Sequence, residues 1–265
     1  MRRIAVNKAA LARRFSRSMS TYERAAVVQR EMADQLVADL LSVSGVDRFD
    51  RVLELGCGTG LLTERILERC RPGCLVLNDL VAECAQTARH AGLRKPAVTV
   101  QFVHGDMETA EFPHPQDLIA SSAVVQWAAD PEGLLTRMAG LLRRGGVLAV
   151  ASFGPLNLHE VSHLTGSSLP YKSAEEWRSG LAGRYEVLSV RENVRTLWYP
   201  SAREVLRHLK ETGVNSPDAR PWPPSKTKRF CRAYEAAFGH AGKVPLTYHP
   251  VFMVARKCGD GGIGS

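Results

Sequence analysis

The chain alternates between short runs of apolar residues and longer segments in which apolar residues recur every three or four positions. The short runs predict buried strands at 51–55, 74–78, 98–103, 117–121 and 147–153. The periodic segments predict helices at 22–44, 61–70, 81–91 and 131–143. Strands and helices that alternate through short connections form a parallel sheet with helices on both faces. The predicted fold class is therefore α/β.

The alternation is looser after residue 154. Strands are predicted at 185–190 and 243–255, and helices at 201–212 and 226–238. The proline-rich stretch 216–225 is typical of a rigid loop rather than a domain linker, and the tail 259–265 is typical of disorder. We expect one domain over 1–265, with N-terminal helices in 1–44, a core in 45–153 and a second half with inserted helices in 154–258.

The first predicted strand leads into three glycines, Gly56, Gly58 and Gly60, within VLELGCGTGLLTERI. A glycine turn between strand and helix lets the backbone approach a ligand, with helix N–H groups facing it. The spacing GxGxG differs from the dinucleotide fingerprint GxGxxG, and the strand carries an acid, Glu54. A carboxylate there would repel a pyrophosphate, so it favours a ligand with ammonium and sulfonium centres.

Polar residues also follow the next three strands. Asp79 is placed to accept hydrogen bonds from both hydroxyls of a ribose. Asp106, followed by Met107, is placed to accept from an adenine amino group, and Ser121–Ser122 ends the fourth strand. Ligands of parallel sheets bind at the carboxyl ends of the strands, so these positions indicate one shared site.

These motifs resemble those of class I S-adenosylmethionine (SAM)-dependent methyltransferases, through ELGCGTG, Asp79 and Asp106–Met107 over residues 50–153. Flanking segments are similar to the malonyl-acyl-carrier-protein O-methyltransferase family of biotin synthesis. They are FSRSMSTYERAAVVQREMA, SSAVVQWAADP, FGPLNLHE, TLWYPSAREVLRHLKETGVN and LTYHPVFMVARK. The resemblance implies a Rossmann-like fold, with a mostly parallel seven-stranded sheet and added lid helices.

The resemblance also implies an activity and a cofactor site. The expected reaction moves a methyl group from SAM to the free carboxyl of a malonyl thioester on acyl carrier protein or coenzyme A. The product would be the methyl ester that starts pimeloyl and biotin synthesis. The residues expected to bind the cofactor are Glu54, Gly56, Cys57, Gly58, Gly60, Asp79, Leu80, Asp106, Met107 and Ser122.

The substrate-pocket candidates are Tyr22, Gln126, Trp127 and Arg207. Tyr22 lies in a segment that packs over the cofactor pocket in the resembled family, although it could also be a packing residue at a helix start. Trp127 either shields the transferring methyl group from water or caps the next helix. Arg207 could hold the carboxylate, face solvent, or form with Arg203 and Lys210 a basic stripe for a carrier protein. A carboxylate acceptor is ionised at neutral pH, so we expect no general base.

The basic N-terminus has two interpretations. No acidic residue precedes Glu23, a composition that organelle transit peptides share. The resemblance to the family instead makes this segment part of a lid. Another pattern, HEVSHLTG at 159–166, matches the HExxH zinc motif through His159, Glu160 and His163. We interpret it as a chance match and expect no bound metal.

Bulk properties restrict the partners. The net charge of +8 favours an acidic substrate or partner, and six cysteines without a CxxC pair are typical of reduced thiols in a cytoplasmic protein. No apolar run is long enough to span a membrane, and no basic run interleaved with aromatic residues indicates nucleic-acid binding. We expect a cytoplasmic monomer. The alternatives are a methyltransferase for another small acid or a quinone-type acceptor, and a SAM-binding protein without activity.

Overall fold

The computed structural model describes residues 2–3, 7–213 and 222–259, which form strands β1–β11 and helices α1–α9. The strands are β1 (Arg2–Arg3), β2 (Arg48–Leu55), β3 (Arg71–Asp79), β4 (Thr99–His104), β5 (Gln116–Ser122), β6 (Leu142–Phe153), β7 (Ser167–Ser168), β8 (Tyr185–Glu192), β9 (Arg195–Tyr199), β10 (Val244–Tyr248) and β11 (Pro250–Lys257). The helices are α1 (Lys8–Ala25), α2 (Val27–Ser44), α3 (Leu61–Arg69), α4 (Ala85–Arg94), α5 (Pro131–Leu141), α6 (His159–Thr165), α7 (Ala174–Leu181), α8 (Ala202–Glu211) and α9 (Pro224–Phe238).

Seven strands form the central sheet, in the order β4-β3-β2-β5-β6-β11-β8. The first five are parallel, and β11 runs antiparallel to both β6 and β8. This confirms the predicted mostly parallel, seven-stranded sheet. Two small pairs lie outside it: β9 with β10, which is antiparallel, and β1 with β7, which is parallel.

Apolar residues that alternate along the central strands bury both faces of the sheet. On β2, Val52 joins the cluster formed with α2, α3 and α4, whereas Leu53 joins the cluster formed with α5 and α7. Burial on both faces explains why these strands are nearly continuous apolar runs. The first cluster also contains apolar residues of α8, α9 and β10, so the second half of the chain shares this core.

Two predicted elements are each divided in the structure. The helix expected at 22–44 is the end of α1 followed by α2, with a break at the fully buried Ala26. Its φ and ψ of −80° and 50° are not helical, so the direction of the chain changes there. The strand expected at 243–255 is two strands interrupted at His249, because β10 pairs with β9 while β11 pairs with β6 and β8.

Some elements were not predicted. Helix α7 begins with a capping box in which the Ser173 side chain accepts from the Glu176 backbone and the Glu176 side chain accepts from the Ser173 backbone. The spacing Ser-x-x-Glu is a sequence signature of a helix start, so this helix could have been predicted from the sequence. Most of the predicted proline-rich loop and the tail after Gly259 lie outside the described residues. The expected domain limits stay predictions. Across the described ranges, no helix has the length and apolar character needed to cross a membrane.

Candidate cofactor and acceptor site

A deep cavity opens at the carboxyl ends of the central parallel strands. Its strand wall is formed by the ends of β2, β3, β4 and β5 and by the residues that follow them. Its helix wall is formed by residues of α1 and α2, with Thr212 and Gly213 from the end of α8. The space measures about 1150 Å³ with the open mouth included.

The glycine turn after β2 requires glycine for two reasons. Gly56 and Gly58 have φ values of +71° and +51°, in the left-handed region that side chains disfavour. A Cβ at Gly56 would overlap the side chain of Val124, and one at Gly58 would lie 3.2 Å from Cζ of Phe15. The N–H groups of Gly56 and Cys57 both donate to the Asn78 carbonyl, 2.8 and 2.9 Å away, which ties the turn to the end of β3.

Glu54 lies beneath this turn and is only 1% exposed. Burial raises the pKa of its carboxyl to about 8, the hydrogen bond from Thr63 Oγ1 opposes this in part, and the nearby Asp79 charge raises it further. Glu54 is therefore mainly protonated at neutral pH when no cation is near. A cationic ligand would favour its ionised form.

Asp79 ends β3 and supports the turn from the other side. Its Oδ2 accepts from the N–H of Gly58 and its Oδ1 accepts from the N–H of Val81, both at 2.9 Å. Burial raises the pKa of this carboxyl, although the hydrogen bonds from Val81 and Gly58 oppose the effect. Asp79 and Glu54 thus give the strand wall two acidic groups that lack a basic partner among the described residues.

Asp106 contacts the helix wall directly. Its Oδ2 lies 2.6 Å from Nζ of Lys8 in the first turn of α1, and Lys8 also pairs with Glu108. Burial alone would lower the pKa of Lys8, but its hydrogen bonds to Asp106 and Glu108 outweigh burial and raise it. Lys8 thereby fastens α1 over the cavity, where Phe15 on the same helix also lines it.

The helix wall and the residues after β5 supply neutral polar groups. The Tyr22 ring packs edge-on against Phe15, with centroids 5.1 Å apart. Burial, with the Asp79 charge, raises the pKa of the Tyr22 hydroxyl, so it stays protonated and can donate. The Gln126 amide donates to the Ala123 carbonyl at 2.7 Å, which fixes its side chain at the cavity edge.

Three buried polar atoms that line the cavity have no hydrogen-bond partner among the described residues. They are Oε1 of Gln29, Oγ1 of Thr59 and Oγ of Ser122. An unsatisfied buried polar atom costs roughly 1–3 kcal/mol, so three around one space indicate a polar ligand. Together with the two acids and the glycine turn, they fit SAM, which carries positive charge and many polar groups.

Most residues predicted from the sequence converge on this cavity. Every expected cofactor-binding residue lines it except Gly60, and so do Tyr22, Gln126 and Trp127. Gly60 instead starts α3 with a φ of +102°, and a Cβ there would lie 2.9 Å from Cγ2 of Thr87.

Arg207 does not reach the cavity. Helix α8 buries Val205, His208 and Leu209, so helical spacing directs Arg207 to solvent, where its side chain is 64% exposed and pairs with Glu204. The prediction that Arg207 enters the substrate pocket therefore has no support in the geometry. Its alternative, an exposed basic stripe with Arg203 and Lys210, agrees with the placement of all three residues.

Several lining residues lie outside the set of site candidates, among them Lys8, Phe15, Gln29, Thr59 and Thr212. Phe15 and Gln29 belong to the segment FSRSMSTYERAAVVQREMA, which the resemblance already places over the pocket. The apolar pattern alone could have identified Gln29, because it is a polar residue on the buried face of α2, beside Val28 and Met32. Thr212 has no such signal, because it reaches the cavity only through the packing of α8 against α1.

The HExxH segment has a structural explanation. Glu160 is 1% exposed, and it accepts hydrogen bonds from the N–H of Thr247 at 3.1 Å and from Thr247 Oγ1 at 2.6 Å. His163 packs its ring against Phe238. Glu160 therefore joins α6 to β10. Within the described ranges no three His, Cys, Asp or Glu residues are grouped to hold a metal.

Comparisons with known proteins agree with this geometry. Residues 53–150 match the family model described as a methyltransferase domain. A putative methyltransferase from Bacillus halodurans shares the fold with a TM-score of 0.61 at 15% identity, covering 84% of this chain and 99% of that one. The N-methyltransferase NodS from Bradyrhizobium japonicum, solved with S-adenosyl-L-homocysteine, has a TM-score of 0.53 at 17% identity and covers 86% of each chain.

The curated relatives are more similar over nearly the whole chain, and all three described here are named malonyl-[acyl-carrier protein] O-methyltransferase. The one from Haemophilus ducreyi is 38% identical, covering 94% of this chain and 97% of the relative. The one from Chlorobium luteolum is 37% identical, covering 97% and 98%. The one from Bacteroides fragilis is 36% identical over 96% of this chain, which spans about half of that relative, 51%. The chain therefore belongs to the malonyl-[acyl-carrier protein] O-methyltransferase family and is a methyltransferase that uses S-adenosylmethionine.

Proposed function

We propose that this enzyme methylates the free carboxyl of a malonyl thioester carried on acyl carrier protein, with SAM as the donor. Bound SAM supplies an electrophilic methyl group on a sulfonium centre. The observation that carries the proposal is the character of the cavity lining. Among the described residues it contains neutral polar groups and no histidine. The names of the relatives supply the acceptor.

The strand wall holds the donor in this proposal. Glu54 and Asp79 face the positive groups, and the unsatisfied hydroxyls of Thr59 and Ser122 find partners on the ligand. Asp106 accepts from the N–H of Glu108 through Oδ1 and pairs with Lys8 through Oδ2. Each oxygen has a second lone pair, so the same carboxylate can also accept from the adenine amino group. These groups orient the cofactor without taking part in proton transfer.

The helix wall and Gln126, which follows β5, hold the acceptor. A carboxylate with a pKa of about 4 is already ionised at neutral pH, so no residue has to remove a proton. The Tyr22 hydroxyl and the amides of Gln29 and Gln126 can donate hydrogen bonds to it. Lys8 is the one basic side chain among the described residues that line the cavity, and it already pairs with Asp106 and Glu108. The carboxylate is therefore held by neutral donors and keeps its nucleophilicity, which a bidentate ion pair would reduce.

Apolar side chains keep water out of the same space. Phe15, Trp127 and Phe153 line the cavity beside these donors. Excluding water strengthens the attraction between the anionic acceptor and the cationic donor, because the local dielectric falls.

Product analysis tests the proposal. The enzyme is incubated with SAM and either malonyl-carrier protein or malonyl-CoA, and the product is identified by mass spectrometry before and after mild alkaline hydrolysis. We expect one added methyl group on the intact thioester, and alkali should release this group as methanol even where it also cleaves the thioester. Acetyl-carrier protein, which lacks the free carboxyl, is the control and should stay unmodified. Methylation of the acetyl form, or a methyl group stable to alkali, would contradict the proposal.

We further propose that the enzyme acts as a monomer in the cytoplasm. The six cysteines are unpaired thiols, which suits a reducing compartment. Sedimentation at working concentration would reveal a dimer if one forms.

A further inference from the structure

The positive charge of the chain is concentrated in three helices. Helices α1, α8 and α9 together contain twelve lysines and arginines but four glutamates. Their excess of eight positive charges equals the net charge of the entire chain, so the charges elsewhere cancel. A field of one sign over a limited surface attracts a partner of opposite sign.

These helices lie side by side, with α8 in the middle. Thr21 Oγ1 on α1 donates to the Glu211 carbonyl on α8 at 3.2 Å. At the other end of α8, the N–H of Ala202 donates to Oε1 of Glu235 on α9 at 3.2 Å. The three helices therefore form one continuous surface.

Helical spacing turns the basic residues of this surface to solvent. On α8, the exposed positions are Arg203, Arg207 and Lys210, while the opposite face is buried. Arg13 and Arg17 are exposed one turn apart on α1, and α9 exposes Lys228 and Arg232 at the same spacing. We define the basic face as Arg13, Arg17, Arg203, Lys210, Lys228 and Arg232. Across the described ranges these six side chains have no carboxylate partner, unlike Arg207.

The basic face adjoins the cavity mouth. Lys8, Phe15 and Tyr22 of α1 line the cavity, as do Thr212 and Gly213 directly after α8. Helix α1 therefore carries basic residues on its outer side and lines the cavity with its inner side, and the residues directly after α8 line the cavity beside it. A partner held on the basic face would sit next to the opening through which a substrate enters.

We infer that the basic face is the docking surface for the carrier protein that delivers the acyl substrate, and that this carrier presents an acidic surface to it. The inference rests on the proposed function and names the residues that select the carrier. A thioester on a long flexible arm can pass from a protein docked there into the cavity. Electrostatic docking acts mainly by raising the association rate constant, and this gain falls as the salt concentration rises.

Two charge-reversal variants test this inference: Arg203→Glu with Lys210→Glu, and Arg13→Glu with Arg17→Glu. The matched control is Arg48→Glu with Lys95→Glu. Both residues are exposed. Arg48 begins β2 and Lys95 precedes β4, so they lie at the amino ends of the strands, opposite the cavity. Methyl transfer is measured with malonyl-carrier protein and with malonyl-pantetheine, which has the arm without the protein. Binding of labelled holo-carrier protein is measured separately by fluorescence anisotropy, without SAM.

We expect both variants to bind the carrier at least about tenfold more weakly and to raise KM for malonyl-carrier protein by a similar factor. Their kinetics with malonyl-pantetheine and their SAM affinity should equal those of the wild type, and the control pair should change none of these quantities.

Unchanged carrier binding in both variants would overturn the inference, as would an equal loss of activity with both substrates. Binding of the wild type to anionic vesicles but not to the carrier would assign the face to a membrane instead. Carrier binding that the variants weaken, with no methylation of either thioester, would leave the docking surface supported and the proposed function refuted.

Discussion

The two walls of the cavity are built in different ways. The strand wall consists of turns that follow adjacent strands of one sheet, and the backbone hydrogen bonds of that sheet hold them in place. The helix wall comes from distant segments of the chain. Helix α2 packs into the apolar core beside β2 and α3, whereas α1 contacts the strand wall and its neighbours through a few polar side-chain pairs. These are Lys8 with Asp106 and Glu108, and Ser16 Oγ with Glu83.

This difference assigns separate tasks to the two walls. A rigid wall with fixed acids and backbone groups suits a cofactor that is always the same. Helix α1, whose ion pairs with the strand wall are partly exposed, can move to exchange ligands. The helix wall also carries the donors Tyr22 and Gln29, and the basic face lies on the outer side of α1 and on α8 and α9. We therefore expect changes in the strand wall to affect SAM binding, and changes in the helix wall to affect the acceptor alone.

The largest expected effect is at the glycine turn. Gly56→Ala puts a side chain at a positive φ and against Val124, so we expect a loss of about 2–5 kcal/mol in the free energy of unfolding, with loss of SAM binding. Gly45→Ala is the matched control. Its φ is +68°, but nothing lies within 4 Å of the new Cβ, so it should cost about 1–2 kcal/mol and leave SAM affinity unchanged. Denaturant unfolding and calorimetric titration measure both quantities. Equal effects of the two variants would mean that Val124 does not constrain the turn.

The next largest effect is expected at Asp79. Asp79→Ala removes the acceptor proposed for the ribose hydroxyls and should weaken SAM binding by roughly 2–4 kcal/mol. The same carboxylate accepts from Gly58 and Val81, so some stability is lost as well. Asp79→Asn keeps one acceptor oxygen and should recover part of both losses. Titration that finds unchanged affinity in Asp79→Ala would remove this residue from the site.

Glu54 should make both stability and cofactor binding depend on pH. Its folded pKa of about 8 lies above the ordinary value of 4.5, so the folded state binds a proton that the unfolded state has released. Its contribution to the free energy of unfolding is present below the ordinary pKa and is lost as pH rises through the folded pKa, by at most about 1.4 kcal/mol per pH unit.

A cation favours ionised Glu54, so SAM affinity should rise by up to about tenfold per pH unit between about pH 5.5 and 7. Below about pH 7 the cofactor's own amino group stays charged and does not interfere. Glu54→Gln should flatten both dependences, and a wild-type affinity that is already constant over this range would contradict the assignment.

The smallest expected effect is at Tyr22 on the helix wall. Tyr22→Phe removes one neutral hydrogen-bond donor, which should lower kcat/KM for the malonyl thioester by about tenfold. SAM affinity should stay the same, because only the helix wall changes. Tyr185→Phe is the control: its hydroxyl donates to the Leu135 carbonyl on the other face of the sheet, so it should cost stability and leave kinetics unchanged. A loss of SAM affinity in Tyr22→Phe would break the division between the walls.

The sequence allowed much more of the strand wall than of the helix wall to be predicted. The strand wall is made of motifs that are each continuous in the chain, such as the turn after Glu54, and the parallel sheet brings them together without further information. The helix wall depends on tertiary packing between distant segments. Thr212 lies 190 residues from Tyr22 in the chain. Arg207 is a pocket candidate only through the family-like segment that contains it, and that resemblance does not show which face of α8 meets the cavity. The break at Ala26 also escaped prediction, because nothing in the apolar pattern of 22–44 marks it.

The central claim is that the acceptor is a carboxylate that needs no general base, and the pH dependence of single turnovers tests it most directly. The enzyme is saturated with SAM, mixed with malonyl-carrier protein and quenched over a range of about pH 6 to about pH 9. A carboxylate with a pKa of about 4 stays ionised over this range, so the rate should be nearly constant. His159 belongs to the HExxH motif and would be the first candidate for a general base. It lies outside the cavity lining, so His159→Ala should cost less than about tenfold. A rate that rises about tenfold per pH unit toward neutrality and collapses in His159→Ala would contradict the account.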